Sequence, residues 1–134
     1  VLGGIGAVSL FVAAIGIANT MMMSIYERTK EIGIIKVLGC DMKVIRNMFL
    51  LESGFIGFMG GVIGVAISYG IGFIMNHFLG IGQIMTGQAG DISRIPLWLA
   101  AAAVVFAIFV GMAAGFFPSL RAMHLSPLAA IRNE

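Results

Sequence analysis

Three long stretches of this chain contain no charged residue, and they constrain the fold more than any other feature. They cover residues 1–26, 53–90 and 95–120. A helix needs roughly 20 apolar residues to cross a hydrocarbon layer of about 30 Å, so each stretch is long enough to span a membrane. Only 10% of the residues are charged and 60% are hydrophobic, whereas soluble domains have about 25% charged residues. The sequence therefore predicts an all-α membrane protein with three transmembrane helices, at about 3–25, 53–75 and 97–117.

The basic residues are distributed unevenly among the connections. The loop 76–96 contains only Arg94, and the tail 118–134 contains Arg121 and Arg132. The segment 27–52 contains Arg28, Lys30, Lys36, Lys43 and Arg46. Lysine and arginine accumulate in short loops on the cytoplasmic side of a membrane. We therefore predict that the N-terminus of this chain lies outside, 27–52 is cytoplasmic, 76–96 is an outer loop and the tail is cytoplasmic.

The charged segment 27–52 also has an amphipathic pattern. Ile32, Ile35 and Leu38 recur at helical spacing, and charged residues occupy the remaining surface. Gly39 is predicted to end this short helix, and Asp41 to cap the helix that continues into the second span. The pattern fits two interpretations, a helix lying on the inner leaflet and a helix docked in a groove of a cytoplasmic partner.

Small residues recur every four positions on the second and third spans. The second span has Gly60, Gly64, Ser68 and Gly72, and the third has Ala103, Ala107, Gly111 and Gly115. Close backbone approach at such ridges is a main source of helix association in lipid. We expect the ridges to pack the three helices of this chain together, and the other interpretation is that one ridge faces a second chain.

Asn19 lies inside the first span, six residues from its predicted inner end at residue 25. An amide needs hydrogen-bond partners in hydrocarbon, and polar side chains in transmembrane helices usually face the bundle interior. We therefore predict that Asn19 faces the bundle and forms a hydrogen bond to another helix, and the other interpretation is a residue of a substrate path or a subunit interface.

Three motifs in sequence order resemble the FtsX-like permeases of ABC transporters, of the macrolide-exporter and lipoprotein-release type. The first is ERTKEIGI at 27–34 followed by KVLG at 36–39, similar to the family pattern ERTREIG…(R/K)ALGA. The second is FLLE at 49–52 followed by Gly57, Gly60, Gly61 and Gly64. The third is the ending FPSLRA at 117–122 and LSPLAAIRNE at 125–134. Lys30 and Lys36 stand where arginine is usual in the family.

The resemblance implies a multi-pass protein of a bacterial cell membrane, with a short cytoplasmic coupling helix between the first two of these spans. A separate cytoplasmic ABC ATPase would press on this helix, and a stalk at 27–30 would relay the motion into the first span. The family works as homo- or heterodimers, surrounded by membrane lipid and in some members with an extracytoplasmic adaptor. The residues carried over to ATPase coupling are Glu27, Arg28, Lys30, Glu31, Ile32, Gly33, Ile34, Ile35, Lys36, Leu38 and Gly39.

The same resemblance implies that the chain matches only the last three of four family spans, without the first span and the outer domain. Family members export macrolides, peptides or lipoproteins, or transmit force to regulate wall hydrolases. Specificity is expected from the outer domain, so the cargo is left open here.

Other classes of function have little support in the sequence. No phosphate-binding loop of the type GxxxxGK(S/T) is present, so this chain is not expected to be the ATPase. We expect no cofactor and no metal, because His77 and His124 are predicted on opposite faces of the membrane, and no nucleic acid, because no basic and aromatic residues interleave. An intramembrane enzyme would need paired ionisable residues at mid-span. The remaining alternative is a small stand-alone membrane protein that packs against other helices through its glycine-rich faces.

Overall fold

The computed structural model describes residues 1–78 and 94–124. Within these two ranges there are four helices, α1 (Leu2–Glu27), α2 (Thr29–Val37), α3 (Met42–Phe78) and α4 (Leu97–Met123). Helices α1, α3 and α4 are long and apolar enough to cross a membrane. The predicted all-α class is therefore confirmed for the described residues. Most of the predicted outer loop, including the Gly80 to Gly90 stretch, and the tail from Leu125, including Arg132, lie outside them.

Helix α2 follows α1 with a single residue between them. Arg28 has φ −99° and ψ 11°, outside the helical range, and its amide still donates to the carbonyl of Ser24 at 3.1 Å. The Thr29 hydroxyl donates to the carbonyls of Ile25 and Tyr26, each at 2.9 Å. These hydrogen bonds satisfy part of the last turn of α1, whose carbonyls have no partner within the helix. The junction is thus a short, hydrogen-bonded break between two helices.

Gly39 ends α2 as the sequence predicts. Its φ is +87°, a left-handed conformation that glycine adopts without the penalty of a Cβ atom. The amide of Gly39 donates to the carbonyl of Lys36 at 3.1 Å, and that of Cys40 donates to Ile35 at 3.3 Å. This pair of bonds is the Schellman motif, which satisfies the last carbonyls of a helix. The chain therefore turns sharply between α2 and α3.

Asp41 caps the start of α3, which confirms the prediction for this residue. Its Oδ1 accepts from the amide of Lys43 at 3.3 Å, in the geometry of an N-cap carboxylate. Helix α3 then continues without interruption through Ile45 and Phe49 into the predicted second span. The segment 27–52 consequently contains two helical pieces, α2 and the first turns of α3.

Helices α3 and α4 form the most extensive contact of the bundle. Gly57 lies against the backbone of Ala107, and a Cβ atom on Gly111 would stand 2.6 Å from the carbonyl oxygen of Ser53. Gly115 lies against the Ser53 side chain, and a Cβ atom on Gly61 would stand 2.9 Å from that of Ala107. These glycines let the two backbones approach closely, as small residues do in membrane helix pairs.

The apolar core lies at one end of the bundle, which we call the charged end. It is the end where α1 stops, α3 begins and α4 stops. Six buried side chains form the core, which we call the apolar cluster: Met21, Ile25, Ile32, Ile45, Phe49 and Ala122. Most of the remaining surface of α1, α3 and α4 is exposed apolar side chains, as expected for helices surrounded by lipid.

Candidate coupling site

Helix α2 has one buried face and one exposed face. Ile32 is 2% exposed and belongs to the apolar cluster, Gly33 is buried beside it, and Ile35 packs against the cluster. On the opposite side, Ile34 is 48% exposed and Leu38 is 81% exposed. Burying a side chain such as isoleucine stabilises by about 1.5–3 kcal/mol, so the buried face fixes α2 to the bundle. The exposed apolar side chains are left available at the surface.

The charged residues predicted for coupling surround this exposed surface. Glu27, Arg28, Lys30 and Glu31 are all exposed. Arg28 forms an ion pair with Glu52, with 3.7 Å between Nη1 and Oε2. This pair links the α1–α2 junction to α3, but half-exposed pairs contribute only about 0–1 kcal/mol. The charged rim around α2 is therefore mostly solvated.

Lys36 connects α2 to α4 through hydrogen bonds. Its Nζ donates to the carbonyl oxygens of Ala122 at 3.0 Å and Met123 at 2.8 Å. These are among the last four carbonyls of α4, which have no partner within the helix. The ammonium group also lies at the negative end of the helix dipole, which stabilises by about 0.3–1 kcal/mol. The side chain thus joins the last turn of α2 to the last turn of α4.

Burial affects the ammonium group of Lys36. Desolvation lowers the pKa of Lys36 from its ordinary value of 10.5, because a partly buried site disfavours the charged form. The two carbonyl oxygens accept hydrogen bonds from the ammonium group and offset part of that cost. Sequence reasoning missed this contact, because no linear pattern indicates that α4 ends beside α2.

The charge distribution separates the two ends of the bundle. Apart from Arg94, the charged side chains within 1–78 and 94–124 lie at or near the charged end. Arg94 precedes α4 at the opposite end, where the Tyr69 hydroxyl donates to the carbonyl of Ile95 at 2.9 Å. Within the same ranges, no three His, Cys, Asp or Glu residues lie close enough together to hold a metal ion.

Only part of the predicted packing ridges lies in a contact between the described helices. Gly111 and Gly115 lie in the α3–α4 contact, and Gly72 is buried. Gly60 and Gly64 have open space where a Cβ atom would stand, and the exposed Ser68 hydroxyl donates to the carbonyl of Gly64 at 2.9 Å. The part of α3 that meets α4 is instead the row of Ser53, Gly57 and Gly61. This row lies beside the row of Gly60 and Gly64 on the same helix.

Asn19 is exposed on α1. The prediction that it faces the helices of this bundle is therefore wrong for the described residues. The first span packs chiefly against α4, and only slightly against α3, so the side of α1 that carries Asn19 has no helix over it. Gly16 also has open space where a Cβ atom would stand.

The fold and the position of the charged helix α2 define a multi-pass helical membrane protein with its charge concentrated at one end. Residues 3–127 match the family described as FtsX-like permease C-terminal. Because this match covers most of the chain, the chain belongs to the FtsX-like permease family. The resemblance drawn from the three sequence motifs is thus confirmed.

Several relatives named as permeases share this similarity. The chain is 41% identical over 138 residues to the ABC transporter permease YtrF of Bacillus subtilis, covering 97% of this chain and 31% of YtrF. It is 36% identical over 132 residues to the uncharacterized ABC transporter permease MJ1507 of Methanocaldococcus jannaschii, covering 98% of this chain and 32% of the relative. It is 37% identical over 133 residues to the macrolide export ATP-binding/permease protein MacB of Hyphomonas neptunium, covering 99% of this chain and 19% of MacB. The chain therefore spans about a third or less of the length of these relatives.

Proposed function

We propose that this chain is the permease part of an ABC transporter, in which α2 receives motion from a cytoplasmic ATPase. The observation that carries the proposal is the two-sided character of α2. Ile32 fixes one face to the apolar cluster, whereas the other face exposes Ile34 and Leu38 within a charged rim. A partner that docks on this surface would move a helix that is already attached to the bundle.

The ATPase is proposed as a separate chain or domain. The relative MacB is named as both ATP-binding and permease, whereas YtrF is named as a permease, so the two arrangements occur among the relatives. This chain would supply no ATP-hydrolysing residue itself. Its coupling set consists of Glu27, Arg28, Lys30, Glu31, Ile34 and Leu38 at the surface, with Ile32, Gly33, Ile35, Lys36 and Gly39 holding α2 in place.

The proposed orientation places the charged end in the cytoplasm of a bacterial cell. Lysine and arginine concentrate there, as the positive-inside rule requires. The N-terminus of the chain would then lie outside and the tail inside. Trp98, which is exposed near the start of α4, would lie at the outer membrane–water interface, where tryptophan is enriched.

A second permease subunit, identical or related, is proposed to cover exposed polar and small residues of the spans. Asn19 is exposed on α1 within the predicted first span, and an amide facing hydrocarbon is costly without a hydrogen-bond partner. The row of Gly60, Gly64 and Ser68 on α3 is open to close approach of another helix.

Membrane lipid would cover the remaining apolar surface, and an extracytoplasmic adaptor would act at the outer end. We propose that the motion received by α2 drives either export of a substrate or transmission of force across the membrane.

Capture of cytoplasmic proteins on the full-length protein tests the coupling role of α2. We expect the native form to retain an ATP-binding protein. Leu38→Asp should retain at least about tenfold less of it, because a carboxylate placed in an apolar contact must be desolvated. Val44→Asp is the matched control. Val44 is also exposed and apolar, but it lies in the first turn of α3, where an acidic residue is favourable.

Retention of the ATP-binding protein by Val44→Asp would show that added charge alone does not prevent binding. Equal retention by the native form and by Leu38→Asp would remove α2 from the contact.

A further inference from the structure

Helix α2 is attached to the bundle at more than one place. The covalent attachment runs through Arg28 into α1. A second attachment runs from Lys36 to the carbonyls of Ala122 and Met123, residues that lie more than 80 positions away in the chain. Any displacement of α2 therefore acts on α4 as well as on α1.

The attachment to α4 joins an ammonium group to the backbone of a buried helix end. Ala122 is fully buried in the apolar cluster, to which Ile32 of α2 also belongs. The ammonium group of Lys36 bonds to backbone carbonyls, which cannot rotate away as a side-chain partner could. The attachment to α1 consists of the chain through Arg28 and the hydrogen bonds from the Arg28 amide and the Thr29 hydroxyl to the last turn of α1.

Motion that reaches the end of α4 would also reach α3. Ser119 and Gly115 precede Ala122 on α4 by about one and two helical turns, and both are buried. Gly115 lies against Ser53 of α3. Gly111 continues the same contact against Gly57. Closely packed helices shift as units because interiors are not continuously deformable. Helices α3 and α4 are therefore expected to respond together.

We propose that Lys36 is a positioning residue that passes the displacement of α2 to the end of α4, and through it to the α3–α4 pair. This inference rests on the proposed function, because it assumes that an ATPase moves α2. It assigns the coupling helix two outputs, one through Arg28 into α1 and one through Lys36 into α4. Lys36 thus acts toward the bundle rather than toward the ATPase.

The test uses the full-length permease with its ATPase in lipid nanodiscs, with hydrogen exchange measured over 115–124 with and without a non-hydrolysable ATP analogue. Native protein is expected to change its exchange in this peptide when the analogue binds. Lys36→Met keeps the aliphatic stem and removes the ammonium group. We expect it to retain the ATPase, to exchange about tenfold faster at the end of α4 and to lose the response to the analogue.

Three further variants separate the relay from a general structural effect. Lys36→Arg keeps the charge and the donors and is expected to restore the response. Lys36→Gln keeps an amide donor without charge, and it replaces Lys36→Met in the test if that variant does not fold. It is expected to show a weaker change in hydrogen exchange when the analogue binds. Lys43→Met removes an exposed lysine near α2 that lies outside the coupling set, and it is expected to behave as native protein.

The outcomes distinguish the two proposals. If Lys36→Met retains the ATPase and responds to the analogue as native protein does, the relay through α4 is wrong and the proposed function stands. If the native protein retains no ATPase, the proposed function fails and the relay fails with it.

Discussion

The charged end of the bundle and the rest of the spans are built in different ways. At the charged end, side chains from all four helices meet in one apolar cluster, and backbone carbonyls are tied across elements by Lys36. Along the spans, α3 and α4 are held by close backbone approach at glycines, while most large side chains point outward. The first region resembles the core of a soluble protein, and the second depends on its membrane surroundings.

This difference explains where a partner could act on the molecule. A core that includes α2 transmits a push at the surface, because α2 cannot move without its buried neighbours. Spans held by glycine contacts can shift relative to lipid, which offers no specific resistance. Within the described residues, the fold thus combines a packed core at the charged end with spans whose outer faces are exposed.

The largest expected effect is at the apolar cluster. Phe49 is 0% exposed, whereas Phe55 on the same helix is 61% exposed. Phe49→Ala should lower the free energy of unfolding by about 3–5 kcal/mol, because it removes a buried ring and leaves a cavity. Phe55→Ala should change it by at most about 0.5 kcal/mol. Denaturant titration of both variants in the same micelle checks the comparison, and equal losses would show that the two regions do not differ.

An intermediate effect is expected at the glycine contacts. Gly57→Ala should destabilise by about 1–3 kcal/mol, because its Cβ atom would meet the backbone of Ala107 and force α3 and α4 apart. Gly60→Ala has open space around it and should be neutral or stabilising by up to about 1 kcal/mol through helix propensity. The same unfolding titration measures both.

Gly60→Ala also sharpens the proposal of a second subunit. If the Gly60 row packs against another helix, the variant should weaken association of subunits in cross-linking while leaving the free energy of unfolding unchanged. Comparable destabilisation by Gly57→Ala and Gly60→Ala would contradict the assignment of the α3–α4 contact.

The smallest effect is expected at the ion pair between Arg28 and Glu52. The two groups are half-exposed and 3.7 Å apart, so their coupling energy should be about 0–1 kcal/mol. A double-mutant cycle with Arg28→Gln and Glu52→Gln measures it, and the value should fall as salt is raised. A coupling above about 2 kcal/mol would mean that the α1–α2 junction is held as firmly as the apolar cluster.

Local features of the fold were predictable from the sequence. The three long helices follow from the length of the uncharged stretches, the end of α2 from Gly39 and the start of α3 from Asp41. Each of these depends on one continuous segment of the chain. The buried positions of Ile32 and Ile35 also follow from their spacing, because an amphipathic helix buries its apolar stripe. Leu38, which the same spacing places on that stripe, is instead 81% exposed, because α2 has ended at Val37.

Contacts between distant residues were not predictable in the same way. Helix α3 carries two rows of small residues about one residue apart, and four-residue spacing does not indicate which row meets α4. The prediction that Asn19 forms a hydrogen bond to another helix of this bundle failed, because the position of Asn19 in the sequence does not indicate which side of α1 meets α4. The Lys36 contact depends on where α4 ends in space, which no pattern within 27–52 encodes.

The central claim is that the exposed face of α2 meets an ATPase. Photo-cross-linking from position 38 in native membranes tests it most directly, with a photoreactive residue at position 44 as the control. We expect a cross-link from position 38 to an ATP-binding protein and none from position 44. Cross-links from position 38 to lipid alone would contradict the claim and identify α2 as a helix lying on the membrane surface.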